Sequence, residues 1–287
     1  MMLIHTLLFF IRSDYYKEDL TLAEKCLKSL SKSSYKKIVI FNQGCITNEE
    51  LKALLSQYDF EFYIIGTGKN EGIIVGRQSC FEYIWEHFPE TNYISELHLD
   101  MFFTPCWEDS LVEYLQKNDE PVISCGIIDN WGQCANLDKT VETLPNLLED
   151  WEPFLKGLRI NKIVPGFAHP CIHNMQVLKE VGGYNQTLFK GKQCYEDDSL
   201  LLSYYYYYGT RANWYPKINY NCVVYHGCAT QRIGLDRCSP NYTALIQQYG
   251  IMGQKHLSKL HSNIWQKDFF KKQFEFLSKV LDSGSQI

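Results

Sequence analysis

A chain of 287 residues, 45% hydrophobic and 21% charged, is long enough to bury a full core as one large α/β domain or two small ones, without covalent staples. Its formal net charge of −5 argues against nucleic acid as a partner, because gripping a polyanion rests on clustered Lys and Arg; a nucleotide held through a cation is still compatible. Eleven cysteines, an odd number with no Cys-x-x-Cys pair, encode neither a disulfide framework nor a zinc ribbon and suit buried, reduced thiols in a cytoplasmic protein.

The apolar run Leu3 to Ile11 is interrupted by His5 and Thr6. It is far shorter than a membrane span and has no basic leader or small-residue cleavage site, so it is read as a buried first strand, with no integral membrane segment expected. Asp14 to Leu30 follows with Leu20, Ala23, Leu27 and Leu30 at helical spacing, and Lys37 to Phe41 is a second short strand ending in Asn42-Gln43-Gly44. Strand, helix, strand predicts a parallel sheet with a right-handed crossover and a ligand outside the carboxyl ends of its strands. Asn48 to Tyr58 reads as a helix and Phe60 to Ile65 as a third strand. The turn Gly66-Thr-Gly-Lys-Asn70-Glu-Gly72 then leads into a helix from Ile74 to His87. Its glycines lack the third position and the acidic partner of a dinucleotide fingerprint. Arg77, one turn into that helix, either pairs with phosphate or is a solvated surface residue; the sequence does not choose.

From Asn92 to Trp107 a period of two sets Leu97, Leu99 and Met101 against Glu96, His98 and Asp100, so the spacing predicts a strand with three ionisable groups on one face. In a sheet covered on both sides such groups need compensation, which a metal ion supplies; the plain alternative is a half-solvated strand. Trp107 to Lys117 reads as a helix and Pro121 to Ile127 as a strand. The irregular stretch from Asp129 to Asn161, with Trp131, Trp151 and a helical piece from Leu147 to Leu158, is either a lid or acceptor loop or a surface embellishment. His169-Pro-Cys171-Ile-His173 mimics a metal site, but with no fourth ligand nearby in sequence it is read as polar strand residues flanking a buried cysteine.

Met175 to Val181 is a short helix stopped by Gly182-Gly183. Glu196, Asp197 and Asp198 open the helix that carries the tyrosine run to Tyr208; acidic residues suit a first turn without any catalytic purpose. Ile218 to Tyr225 is the last strand and delivers His226, in a position that is ordinarily structural. Cys228 to Pro240 is expected to be a mobile loop. Asn241 to Leu281 is helical, with aromatics that offer a dimer face, and Asp282 to Ile287 is a frayed tail.

Several pieces together carry a resemblance: Asn42-Gln43-Gly44, Asn70-Glu-Gly72 with Arg77, His98-Leu-Asp100 with Pro105 and Trp107, Val181-Gly-Gly-Tyr184, Glu196-Asp197 with Leu200 and Gly209, and His226. The chain resembles glycosyltransferases of the GT-A fold, close to the family-2 inverting enzymes, over residues 3–230. The resemblance implies an α/β, Rossmann-like GT-A fold with a mostly parallel central sheet flanked by helices. It further implies a catalytic domain over residues 1–235 and a helical extension over 236–287.

The implied activity is transfer from a nucleotide-sugar donor, a uridine diphosphate sugar, to a glycan, protein or small-molecule acceptor, with Asn42, Asn70, Arg77, His98 and Asp100 binding the donor. The family's strand-end signature is Asp-x-Asp; here His98 takes its first position and Asp100 its ligand position, and Asn42 replaces the acidic nucleobase contact. Chemically, the departing diphosphate needs a hard divalent cation. Asp100 and His226 are its expected ligands, and an imidazole favours Mn2+ over Mg2+. Asp197 is the expected general base, with Glu196 and Asp198 beside it. Two rivals are a nucleotidyltransferase, whose Gly-rich basic loop Arg12-Ser13-Asp14-Tyr15 does not supply, and a non-catalytic sugar-nucleotide or glycan-binding module, for which His98 speaks.

Overall fold

Strand β1 (Leu3–Phe9) sends Leu3 and Leu7 to one face and Ile4 to the other, and all three are fully buried, so the two-residue period packs both sides of a central strand. The computed structural model describes residues 2–137, 139–209, 214–227 and 239–283. Parallel neighbours β2 (Lys37–Asn42) and β4 (Tyr93–Leu97) flank β1, and β3 (Glu61–Ile65) lies parallel outside β2. This is the arrangement the strand, helix, strand spacing predicts.

Beyond β4 the sheet becomes mixed. Strand β8 (Cys171–Asn174) inserts antiparallel between β4 and β6 (Val122–Asp129), and β9 (Lys217–His226) runs parallel to β6. Short strands β5 (Met101–Phe102) and β7 (Ile163–Pro165) pair antiparallel with β9. The order is β3-β2-β1-β4-β8-β6-β9-β5, with β7 also on β9.

The long strand expected from Asn92 to Trp107 is corrected here. β4 ends at Leu97, and the chain turns through His98 to Asp100 before β5 joins a different partner, β9. The apolar and polar residues alternate in sequence but not in burial, since Glu96 and Asp100 are buried along with Leu97, Leu99 and Met101, and the stretch spans two elements, so Glu96 does not share one strand face with His98 and Asp100.

Helices α1 (Tyr16–Leu30), α2 (Asn48–Leu55) and α4 (Asp109–Lys117) cover one face, where Leu27, Leu51 and Leu111 pack with Leu3, Leu7 and Ile38. Helices α3 (Ile73–His87), α6 (Met175–Glu180), α7 (Glu196–Tyr207), α8 (Ser239–Leu260) and α9 (Ile264–Asp282) cover the other; Phe81, Leu178, Leu201, Leu245 and Phe270 share a core with Ile4 and Val39. Burying each such side chain contributes roughly 1.5–3 kcal/mol, and the C-terminal helices are part of that core. Helix α8 is broken at Gly250 (φ 62°, ψ −169°).

The 129–161 stretch, with α5 (Trp151–Gly157), forms a third, smaller core in which Leu155 and Leu158 meet Val164, Ile218 and Tyr220. Gly182 and Gly183 have φ of 82° and 65°, the left-handed stop that the sequence predicts after α6. In α7 the tyrosine run divides as its helical face requires, with Tyr204 and Tyr208 buried and Tyr206 and Tyr207 exposed. Most of the loop expected from Cys228 to Pro240 lies outside the described residues; Ser239 and Pro240 open α8. Residues 284–287 of the expected tail also lie outside them. Among the described residues no helix is long and apolar enough to cross a membrane.

Candidate functional site

The carboxyl ends of β1, β2 and β4 open into a cleft of about 750 Å³ including its mouth, lined by Gln43, Asn70, Arg77, Asp100, Lys192 and His226 among others. Asn70 shapes one wall, its Oδ1 accepting the Gly72 N–H at 3.0 Å. Gly72 (φ 92°) must be glycine: a Cβ there would lie 2.8 Å from Lys192 Cα, where the loop after residue 190 closes onto the start of α3.

Arg77 is neither a surface residue nor a free guanidinium. It is buried, its Nη1 lies 2.6 Å from Glu96 Oε2, and its Nη2 donates to His98 Nε2. Burial alone would push the Glu96 carboxyl up, but the Arg77 guanidinium and contacts from His169 and His173 outweigh it and hold the group well below the carboxylate range. Glu96, read from the sequence as one of three converging strand groups, is therefore the counter-ion beneath the site.

The imidazoles are ordered by that pair. Arg77 always donates, so His98 Nε2 accepts and the His98 proton sits on Nδ1, which donates to His226 Nε2 at 3.1 Å. His226 Nε2 also lies 3.4 Å from Asp100 Oδ1. Asp100 Oδ1 and His226 Nε2 at that distance suit a cation between them, which would take the Nε2 lone pair in place of the His98 hydrogen bond, since oxygen and nitrogen ligands about 2.1 Å from a hard ion stand about 3 Å apart. His98, Asp100 and His226 all offer ligand atoms within 4.8 Å of one another. With His98 Nε2 engaged by Arg77, Asp100 and His226 are the candidate ligand pair, and an ion between them would replace the His98–His226 hydrogen bond. Backbone pairing enforces the meeting: Met101 is opposite His226 in the β5–β9 ladder.

The acidic turn joins this cluster through His169. The His169 ring stacks on His98 with centroids 4.8 Å apart, and its Nε2 lies 3.8 Å from Asp197 Oδ1. Asp197 is about one-third exposed and accepts from Tyr184 OH at 3.5 Å. Glu196 is buried, and Asp198 is bound to His261 at 2.6 Å, which makes Asp198 an anchor for the C-terminal helices. Of the three carboxylates, Asp197 thus has the exposure a general base needs. Asp100 and His226 lie 3.4 Å apart and both line the cleft, whereas Asp197 is reached only across the stacked rings of His98 and His169 and is not among the lining residues.

Asn42 does not face the cleft. Its amide donates to Ile46 O (3.0 Å) and Asn48 Oδ1 (2.8 Å), and its Oδ1 accepts from Gly44 N–H, so it builds the turn rather than a donor contact. Gln43, one residue on, does line the cleft; it is buried, and its Oε1 has no hydrogen-bond partner among the described residues. Sequence reasoning missed this residue, although a one-residue step at a strand end reverses the side.

It also missed Asn241, whose buried amide accepts from Gly191 N–H (2.7 Å) and donates to Gln193 O and Cys194 O (both 3.0 Å), thereby fixing the loop that brings Lys192 to the cleft. An Asn just past a polar loop is a weak signal. In His169-Pro-Cys171-Ile-His173 the two histidines flank a buried cysteine as expected, and Glu96 from β4 stands directly opposite Cys171, a partner no local spacing shows.

No protein-family model matches the sequence, and no curated protein does. Solved structures do. S. aureus TarS 1-349 in complex with UDP-GlcNAc is 10% identical with a TM-score of 0.59, over 98% of this chain and 73% of that one. GalNAc-T7 with UDP, GalNAc and Mn2+ is 14% identical with a TM-score of 0.58, over 98% of this chain and 57% of that one. The likeness establishes that the chain has the GT-A fold expected from its motifs.

Proposed function

We propose that this chain is an inverting glycosyltransferase that moves a sugar from a uridine diphosphate donor to an acceptor, assisted by a divalent cation. The observation that carries the proposal is the convergence of Asp100 and His226, 3.4 Å apart on the wall of a cleft at the carboxyl ends of the parallel strands, where α/β sheets bind ligands. The structures with UDP-GlcNAc and with UDP, GalNAc and Mn2+ support the donor class and the kind of ion.

A cation bound by Asp100 and His226 supplies Lewis-acid neutralisation of the departing diphosphate, and the mixed oxygen and imidazole set favours Mn2+ over Mg2+. The residues do the rest. Gln43 offers the donor an unused carboxamide oxygen, and Lys192 adds a positive charge to the cleft. Arg77, already neutralised by Glu96, orients His98 and is not the diphosphate clamp. Asp197 takes the proton of the acceptor hydroxyl as the bond to the sugar forms, with Tyr184 OH against its carboxylate. The acceptor is a glycan, a protein or a small molecule.

The test is a thermal-shift and hydrolysis experiment. UDP or UDP-GlcNAc at about 100 times Kd with Mn2+ raises stability by about 2.7 kcal/mol, or about 4–5 °C for a chain of this length at ~2.1 cal/mol/K per residue of unfolding entropy. EDTA, Asp100→Asn and His226→Asn each remove the shift. If no sugar nucleotide shifts the midpoint with any divalent ion, the reading fails. A shift without metal-dependent hydrolysis favours the binding-module alternative, for which the spent charge of Arg77 is the supporting observation.

A further inference from the structure

We propose that Glu96, Cys171 and His173 form a second, fully buried metal site beneath the cleft, and that its ion is zinc. Glu96 on β4 is directly opposite Cys171 on β8 in the antiparallel ladder, and His173 is two residues further along the same face. Their ligand atoms stand 3.2 Å (Cys171 Sγ to His173 Nε2), 3.4 Å (Glu96 Oε2 to His173 Nε2) and 3.8 Å (Glu96 Oε2 to Cys171 Sγ) apart. A tetrahedral zinc ion with Zn–S of about 2.3 Å and Zn–N and Zn–O of about 2.0–2.1 Å separates such ligands by about 3.3–3.6 Å. The three observed edges bracket that range.

Two further observations point the same way. Glu96 Oε2, the oxygen of the edges above, also accepts from Arg77 Nη1 (2.6 Å) and Tyr184 OH (3.0 Å), while Oε1 is buried with no hydrogen-bond partner among the described residues, so the carboxylate has a second oxygen to offer an ion while Oε2 stays with Arg77. His173 Nδ1 lies 2.8 Å from Tyr204 OH, and a ring that donates its Nδ1 proton to an outer partner presents the Nε2 lone pair to a metal. A hydrogen bond from His173 to Glu96 would account for Oε2 but leaves Oε1 unexplained.

The charges balance. Glu96, Asp197 and a Cys171 thiolate carry three negative charges against zinc and Arg77, and Arg77 already contacts Glu96. Coordination replaces the S–H bond of Cys171 by S–Zn and releases the proton to solvent, with no change of oxidation state. The softness of thiolate and imidazole selects zinc over the Mn2+ of the cleft. Since all three ligands are buried, the ion enters as the chain folds and staples β4 to β8.

The experiment is metal analysis of the full chain expressed in zinc-replete medium, followed by growth with cobalt in place of zinc. The expected results are one zinc per chain after gel filtration in EDTA and, with cobalt, a thiolate-to-metal charge-transfer band. Cys171→Ser loses the band and Asp100→Asn keeps it, which separates this site from the cleft and from any failure of the donor reading. Folded wild-type protein free of zinc overturns the proposal, and so does a band that survives Cys171→Ser. Should Cys171→Ser not fold, the zinc content of the wild type and of His173→Gln decides: one per chain in the first and none in the second supports the site, and any other result overturns it.

Discussion

Replacing Asn241 by alanine should release the loop that walls the cleft. Asn241 makes three hydrogen bonds of 2.7–3.0 Å to Gly191, Gln193 and Cys194 from a fully buried position, worth about 0.5–1.5 kcal/mol each, or roughly 3 kcal/mol together. The loop they hold is strained: Cys194 and Tyr195 are consecutive non-glycine residues at φ of 74° and 64°, at about 1–2 kcal/mol apiece. The two sums are of the same size, so the amide is what keeps the strained loop closed.

The consequence is read at Ile73, whose N–H donates to Lys192 O at 2.8 Å only while the loop is in place. In Asn241→Ala the Ile73 amide should exchange with solvent roughly 100-fold faster, the factor that ~3 kcal/mol gives, while amides of β1 and β2 change far less. Mass-resolved hydrogen exchange of both proteins at one pH makes the comparison. An Ile73 amide that exchanges no faster than in the wild type, or only in step with the whole sheet, refutes the reasoning.

Three further outcomes follow from named groups. Asp197→Asn should lower turnover by about 10²- to 10⁴-fold with UDP affinity unchanged in a calorimetric titration; equal loss of both would make Asp197 a binding residue. Gln43→Leu should split two signs, weakening UDP by about tenfold for one lost hydrogen bond while leaving stability unchanged or about 1 kcal/mol higher, because a buried unsatisfied oxygen is removed; unchanged UDP affinity would contradict its assignment to the donor. His5, between Ser95 Oγ (2.7 Å) and Ser33 Oγ (2.9 Å), is lowered by burial from 6.5 to about 3. The unfolded chain therefore takes up this proton first, so the contribution is complete above pH 6.5 and is lost as pH falls from 6.5 towards 3. Between pH 7 and 5 the wild type should lose about 2 kcal/mol that His5→Gln does not, and parallel urea-unfolding profiles for the two would exclude it.

What the sequence showed and what it hid divide along a physical line. Leu3, Ile4 and Leu7, the glycines after α6, the acidic start of α7 and the tyrosines at 204 and 208 obey periods of two or 3.6, or demands of a single backbone position, and these are written within a few residues. The parallel half of the sheet is likewise local, since each crossover helix separates successive strands. His226 reaching Asp100 was legible only because both stand at strand ends, where such folds gather their ligands.

Pairings between distant strands carry no such record, and the core of the site depends on them. Insertion of β8 antiparallel between β4 and β6 puts Cys171 and His173 against Glu96 and swings His169 between Glu96 and Asp197, though no spacing in the chain implies it. The same insertion explains the burial of Arg77. A guanidinium one turn into α3 would suit a phosphate if the sheet beneath it were apolar; with Glu96 there at 2.6 Å, leaving the cation unpaired would cost several kcal/mol. The guanidinium is therefore held by Glu96, and Arg77 acts on the cleft through the proton it places on His98.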